Sequence, residues 1–199
     1  PTLSDGRSLF ESSGCLGCHN VEGYVKVSNI GPPLNRIAVK VKPAWLMRWI
    51  LNPKSYLLQT KMPNFRFTEN EANAVRAYLL DASELAKGEP KLQRITERSL
   101  DARWIQEGET IFRMARCISC HLVDGRGGTI APDLVNITTK VQLDWLFDWI
   151  KNPRAYQPNT KMPHYRFTDQ EILKIITYLN SLETSEISSE DENFAYSSG

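Results

Sequence analysis

The chain has 199 residues, enough for one large domain or for two of roughly 100 residues each. Its 24 Lys and Arg nearly balance 23 Asp and Glu, for a formal charge of +1, so no nucleic-acid partner is expected. No run of about 18 apolar residues is present, so no membrane-spanning helix is predicted.

The charge is unevenly spread. Residues 1–100 hold 14 Lys and Arg against 9 Asp and Glu, and residues 101–199 hold 10 against 14, so the halves carry +5 and −4. Glu183, Glu186, Glu190, Asp191 and Glu192 make the C-terminal tail the acidic element; without them the second half is near +1. The chain begins at Pro1 without a signal-like apolar run, which is expected of a processed or trimmed protein.

In chain order, the first predicted helix runs through "GRSLF" (Gly6 to Phe10) toward "CLGCH" (Cys15 to His19). The turn "IGPPL" (Ile30 to Leu34) follows. A middle helix is predicted from Pro43, because proline suits a first helical turn, to Asn52-Pro53, because the residue before proline resists the α region. Trp45, Leu46, Trp49 and Ile50 fall on one face of it, a core-facing pattern. "TKMPNFRFT" (Thr60 to Thr68) comes next, and Thr68 with Glu71 forms the capping box of a final helix. "SELAKGEPKLQRITERSL" (Ser83 to Leu100) reads as a charged connector.

The same elements then recur as "GETIF" (Gly108 to Phe112), "CISCH" (Cys117 to His121), "IAPDL" (Ile130 to Leu134), "WLFDWIKNP" (Trp145 to Pro153) and "TKMPHYRFT" (Thr160 to Thr168). Thr168 pairs with Glu171, and Ile172, Ile175, Ile176 and Leu179 follow at helical spacing. The offset is 102 at the cysteines and 100 from Ile30 onward, so the first repeat has two more residues in the loop after its histidine. No strand pattern of any length competes. The predicted fold is all-α, with domains at residues 1–82 and 103–182, a charged linker at 83–102 and an acidic, Ser-rich tail at 183–199.

All four cysteines lie in two C-x-x-C pairs, each followed at once by histidine. A thioredoxin-like pair expects a βαβ setting, and a zinc site built from all four sulfurs would leave His19, His121 and the two framed methionines without a task; disulfides are the third alternative. C-x-x-C-H is itself the signature of covalent c-type haem attachment. Two sulfurs bond the porphyrin while the next residue, His19 or His121, reaches the iron from the same side.

The opposite face of the iron then needs a ligand from elsewhere. A methionine that only fills core space tolerates many neighbours. Met62 and Met162 instead sit in nearly identical nine-residue frames, as sulfurs that must meet an iron would. Met47, replaced by Phe147 in the other repeat, and Met114, which faces Ser12, are expected to be packing residues. His164 faces Asn64 and is expected at the surface or beside a propionate.

Each half resembles a class I cytochrome c, on the strength of "CLGCH" and "CISCH" together with "ILNPKSYLLQTKM" (Ile50 to Met62) and "IKNPRAYQPNTKM" (Ile150 to Met162). The duplicated arrangement is similar to the tandem di-haem cytochromes of the cytochrome c4 type. The resemblance implies a few helices wrapped around one covalent haem in each domain, with Cys15, Cys18, Cys117 and Cys120 as attachment points and His19, Met62, His121 and Met162 on the irons. It also implies that the carbonyls of Pro32 and Pro132 accept from the ligand histidines, and that Thr60 and Thr160 bond propionates. Trp49 and Trp149 stand at a position usually aromatic in the family, near the methionine sulfurs, from which their indole donors can also reach propionate or water. Gly6 with Phe10, and Gly108 with Phe112, resemble the residues that let the terminal helices cross closely. Ala131 stands where the first repeat has Gly31, so its turn is expected to differ.

Two functions follow from this reading: an electron carrier or relay between a donor and an acceptor redox protein, or a di-haem enzyme resembling the bacterial cytochrome c peroxidases. An electron-transfer subunit or module of a larger respiratory complex is a third. Framed methionines at both irons favour the carrier. A periplasmic or otherwise exported location is implied by where haem is attached in bacteria. Domain 1 is expected to dock an acidic partner, since Arg36, Lys40, Lys42, Arg48, Lys54 and Lys61 face Asn136, Lys140, Gln142, Asp148, Arg154 and Lys161. Phe194 and Tyr196 are expected to anchor the tail.

Overall fold

A computed structural model describes residues 2–25, 30–82 and 101–182. The connector and the tail, including Phe194 and Tyr196, lie outside the described residues. The chain divides into two units, Pro1–Gly88 and Glu89–Gly199, and the described residues are mostly helical, 57% helix against 4% strand, as the all-α reading expects.

In the first unit, α1 (Leu3–Ser12) opens with a capping box in which the Thr2 hydroxyl accepts from the Asp5 amide and the Asp5 carboxylate accepts from Thr2. A 3-10 turn at Cys15–Gly17 follows. Next come α2 (Ile37–Lys40), α3 (Pro43–Leu51), α4 (Pro53–Tyr56) and α5 (Glu69–Ala82). The sequence predicts the end of α3 at Asn52, but not that Pro53 starts a further turn of helix. The same ring that cannot continue one helix is preorganised for the first position of the next. Pro53 is buried at this corner.

The core forms where α1 crosses α5. A β-carbon on Gly6 would overlap the Ala74 carbonyl, so only glycine permits this approach. Phe10, 1% exposed, packs its ring 5.6 Å from Tyr78. Trp45, Leu46, Met47 and Ile50 of α3 close the same cluster with Ala72, Val75 and Leu79 of α5. Met47 is thus the packing residue it was expected to be.

The second unit repeats this plan with α6 (Ala102–Met114), a 3-10 turn at Cys117–Ser119, α7 (Ile137–Lys140), α8 (Leu143–Lys151), α9 (Pro153–Tyr156) and α10 (Asp169–Ser181). Gly108 lies against the Lys174 carbonyl as Gly6 does against Ala74, and Phe112 packs 5.4 Å from Tyr178.

Three expectations need correction. A short antiparallel hairpin, β1 (Leu122–Val123) with β2 (Arg126–Gly127), follows His121. Its turn is Asp124-Gly125, both at positive φ (50° and 71°), the turn chemistry that "DG" signals between strands. Met114 is 79% exposed rather than packed, because two positions past buried Phe112 it falls on the opposite side of α6. Lys40, expected among the surface cations, is half-buried, and burial lowers the pKa of its ammonium group.

Candidate functional site

Each C-x-x-C-H segment winds into one tight turn. The His19 amide donates to the Cys15 carbonyl at 2.9 Å, and the His121 amide to the Cys117 carbonyl at 3.0 Å. Two sulfurs and an imidazole are thereby gathered within five residues. None of the four cysteines is in a disulfide. Among the described residues, no group of three or more His, Cys, Asp or Glu is arranged to hold a bare metal ion. Burial pushes the first thiol of each pair, Cys15 and Cys117, up to about 11.

The histidines are held from one side. His19 Nδ1 lies 2.8 Å from the Pro32 carbonyl oxygen, and His121 Nδ1 lies 2.7 Å from that of Pro132. A carbonyl can only accept, so Nδ1 carries the proton and Nε2 keeps its lone pair, the tautomer a metal-binding imidazole requires. The turn bearing each proline is fixed by the Gly31 amide donating to Cys18 and the Ala131 amide to Cys120, both at 2.9 Å. Replacement of Gly31 by Ala131 therefore leaves the turn's hydrogen bonding unchanged, contrary to expectation. In the first repeat a β-carbon at Gly31 would sit 2.5 Å from His19 Cε1, so the imidazole as placed there requires glycine.

The methionines are braced on both sides. The Met62 amide donates to Thr60 Oγ1 at 3.2 Å, and Trp49 Nε1 donates to the Met62 sulfur at 2.9 Å. Met162, Thr160 and Trp149 reproduce both distances. The threonine hydroxyl oxygen thus supports the methionine backbone, a task that sequence reasoning had not assigned. Beyond each methionine, Arg66 and Arg166 take the left-handed conformation at φ 56°. The flanking rings then stack, Phe65 on Phe67 at 5.5 Å and Tyr165 on Phe167 at 5.2 Å.

The two halves of the site meet in the second unit. Cys117, Leu134, Trp145 and Met162 all pack against the same core cluster. Burial raises the Tyr165 phenol, and the neighbouring Cys117 and Cys120 sulfurs raise it further, so the segment after Met162 lies beside the cysteine pair. His164 is exposed, at the surface as expected.

These residues fit a covalent haem. Attachment sulfurs and an imidazole with a free Nε2 share one turn, and an apolar core supplies the lining. The thioether sulfur sits in a brace that fixes its position.

Comparison with known proteins agrees. Residues 105–183 match the cytochrome c family, and residues 1–79 match the family described as cytochrome c oxidase, cbb3-type, subunit III. The chain is 32% identical over 81 residues to the C subunit of nitric oxide reductase from Halomonas halodenitrificans, which covers 36% of this chain and 54% of that protein. It is 27% identical over 73 residues to the corresponding C subunit from Cereibacter sphaeroides, covering 32% of this chain and 50% of that protein. The matched region thus spans about half the length of these relatives. With a C-x-x-C-H turn, a proline-held imidazole and a family match in each half, the chain is a tandem of two cytochrome c domains carrying covalently bound haem c, and its chemistry is haem electron transfer.

Proposed function

We propose that this chain relays single electrons between a donor and an acceptor redox protein through two six-coordinate haems, in domains spanning residues 1–82 and 103–182. Haem c supplies a one-electron iron couple when bound. The chain's own residues set its ligation. Pro32 and Pro132 hold His19 and His121 with Nε2 available, and Met62 and Met162 offer a soft sulfur that raises the reduction potential. Thr60 and Thr160 keep each sulfur from swinging away. The relay works in the periplasm or another exported compartment.

The observation that carries this reading is the repeated brace, Trp to sulfur at 2.9 Å and methionine amide to threonine at 3.2 Å in both halves. With a histidine and a methionine both available to hold each iron, no position would be left for a substrate, so the carrier stands ahead of a di-haem peroxidase-like enzyme. Denatured protein should retain two haems per chain. Met62→Ala and Met162→Ala should each abolish the methionine-to-iron absorption at one haem only and lower its potential. Carbon monoxide added to the reduced wild type should cause no fast spectral change. A fast change at one haem would move the reading to an enzyme, and an unaltered band in Met162→Ala would move ligation to His164.

A second arrangement, as the electron-transfer subunit of a larger respiratory complex, is favoured by the relatives being named nitric oxide reductase subunits. The same domains would then pass electrons to a catalytic partner chain. Co-purification of such a chain from native membranes would select it over a free carrier.

A further inference from the structure

Around its C-x-x-C-H turn the second unit presents a face that the first unit lacks. Met114, Ile130 and Ile118 are 79%, 75% and 40% exposed. The turn winds on directly from α6, with the Arg116 amide donating to the Arg113 carbonyl at 3.0 Å. The Gly128 amide donates to the Ile118 carbonyl at 2.9 Å, which draws the hairpin and the segment up to Ile130 against the same turn. Arg116 and Arg126 are exposed, and among the described residues no carboxylate pairs with either, the neighbouring Asp124 included. Arg113 is held by Glu109 at 2.7 Å. Where the second unit has Arg113, Met114 and Arg116, the first has Glu11, Ser12 and Gly14. Exposed apolar side chains rimmed by charge mark an interaction surface.

We propose that residues 183–199 of the same chain dock on this face, with Phe194 and Tyr196 against Met114, Ile118 and Ile130, and the tail carboxylates beside Arg116 and Arg126. Charge is complementary: the segment holds Glu183, Glu186, Glu190, Asp191 and Glu192 and no Lys or Arg. It also leaves the fold beside the face. Gly108 of α6 lies against Lys174 of α10 and Phe112 against Tyr178, so the two helices advance together and end near each other. Burial raises the Tyr178 phenol, and Glu109, Arg113 and Asp124 lie near enough to act on it by charge. Leu182 caps α10 one turn later. Phe194 follows by 12 residues, a length of chain that spans up to about 40 Å, against a radius of gyration of about 13 Å for a domain of about 100 residues. Tethering gives the segment an effective concentration in the mM range, which a partner protein or a second copy lacks. Docked there, it covers the exposed Cys120, and an acidic redox protein approaching this cysteine pair must displace it. Salt that screens the arginines loosens the cover.

The test is nuclear magnetic resonance of the reduced, full-length holoprotein labelled at its methionine methyl groups, with Met114 assigned by its loss in Met114→Leu. Phe194→Ser combined with Tyr196→Ser removes both rings from the face. It should move the Met114 resonance and leave that of buried Met47 in place. Arg116→Gln combined with Arg126→Gln should lower the docked-to-undocked ratio about two- to thirtyfold, the loss of two exposed ion pairs, and move Met114 toward the same position. About 0.5 M salt should move the wild-type resonance in that direction too. An unmoved Met114 resonance in either pair of variants overturns the proposal. So does a wild-type resonance that shifts with protein concentration, which would make a second copy the occupant. A resonance that ignores the tail variants and responds only to an added acidic redox protein overturns it as well, and assigns the face to a partner.

Discussion

A β-carbon on Gly31 would lie 2.5 Å from Cε1 of the His19 imidazole, yet the second repeat carries Ala131 at this place. The two ligand turns have the same hydrogen bonds, so a methyl group added at Gly31 would press on the imidazole directly. Pro32 holds His19 Nδ1, so the ring has little freedom to yield to an added methyl group. Gly31→Ala should therefore alter the electron paramagnetic resonance of ferric haem 1 alone and cost about 1–3 kcal/mol in stability, the usual cost of overpacking. Ala131→Gly should leave haem 2 ligation in place with a smaller spectral change.

Helix propensity and tertiary contact oppose each other at Gly108. Glycine inside a helix costs about 1 kcal/mol against alanine, so Gly108→Ala in isolation should stabilise α6. The added methyl group would overlap the Lys174 carbonyl of α10, which is backbone and cannot rotate away. Contact should win, with a net loss of about 2–3 kcal/mol measured by thermal unfolding of the holoprotein. Gly6→Ala should behave alike against Ala74. A stabilised variant would show that the helices can separate freely.

Acid should weaken the capping boxes. The Glu171 carboxyl is held below the ordinary carboxylate range, first by the Thr168 amide and then by the Thr168 hydroxyl, and Glu71 is held likewise by Thr68. A group whose folded pKa is depressed stabilises the fold fully above its unfolded value, about 4.3, and loses that contribution as pH falls through the folded value. Glu171→Gln should flatten the decline in melting temperature between about pH 5 and pH 3. A decline as steep as in the wild type would assign acid sensitivity to other carboxylates.

Lys54 and Lys61 are both exposed, whereas Lys40 is half-buried and leaves the expected cation patch. Charge on the first domain should therefore act through Lys54 and Lys61. With an acidic partner, electron transfer should slow as ionic strength rises, since about 0.1 M salt screens beyond about 10 Å. Lys54→Glu with Lys61→Glu should slow it further than Arg154→Glu with Lys161→Glu, measured by stopped-flow reduction. Equal effects from the two pairs would remove any division of labour between the domains.

Features encoded within a few residues were legible in the sequence. The C-x-x-C-H turns, the Thr68–Glu71 and Thr168–Glu171 boxes, the Asn52-Pro53 corner and the repeat itself each depend on contacts three or four positions apart, or on self-similarity. The Thr2–Asp5 box and the Asp124-Gly125 turn were equally local and equally readable; their dipeptide and spacing signals are present in the chain. Tertiary structure alone decided the rest. Met47 and Met114 are the same residue type in helices, yet α5 covers one and nothing among the described residues covers the other. Lys40 differs from Lys54 only in what the fold packs around it. The bond from Trp49 to Met62 joins residues 13 positions apart on separate elements. An indole's choice between sulfur, propionate and water depends on where the folded backbone aims a directional donor, and composition and periodicity carry no information about that angle.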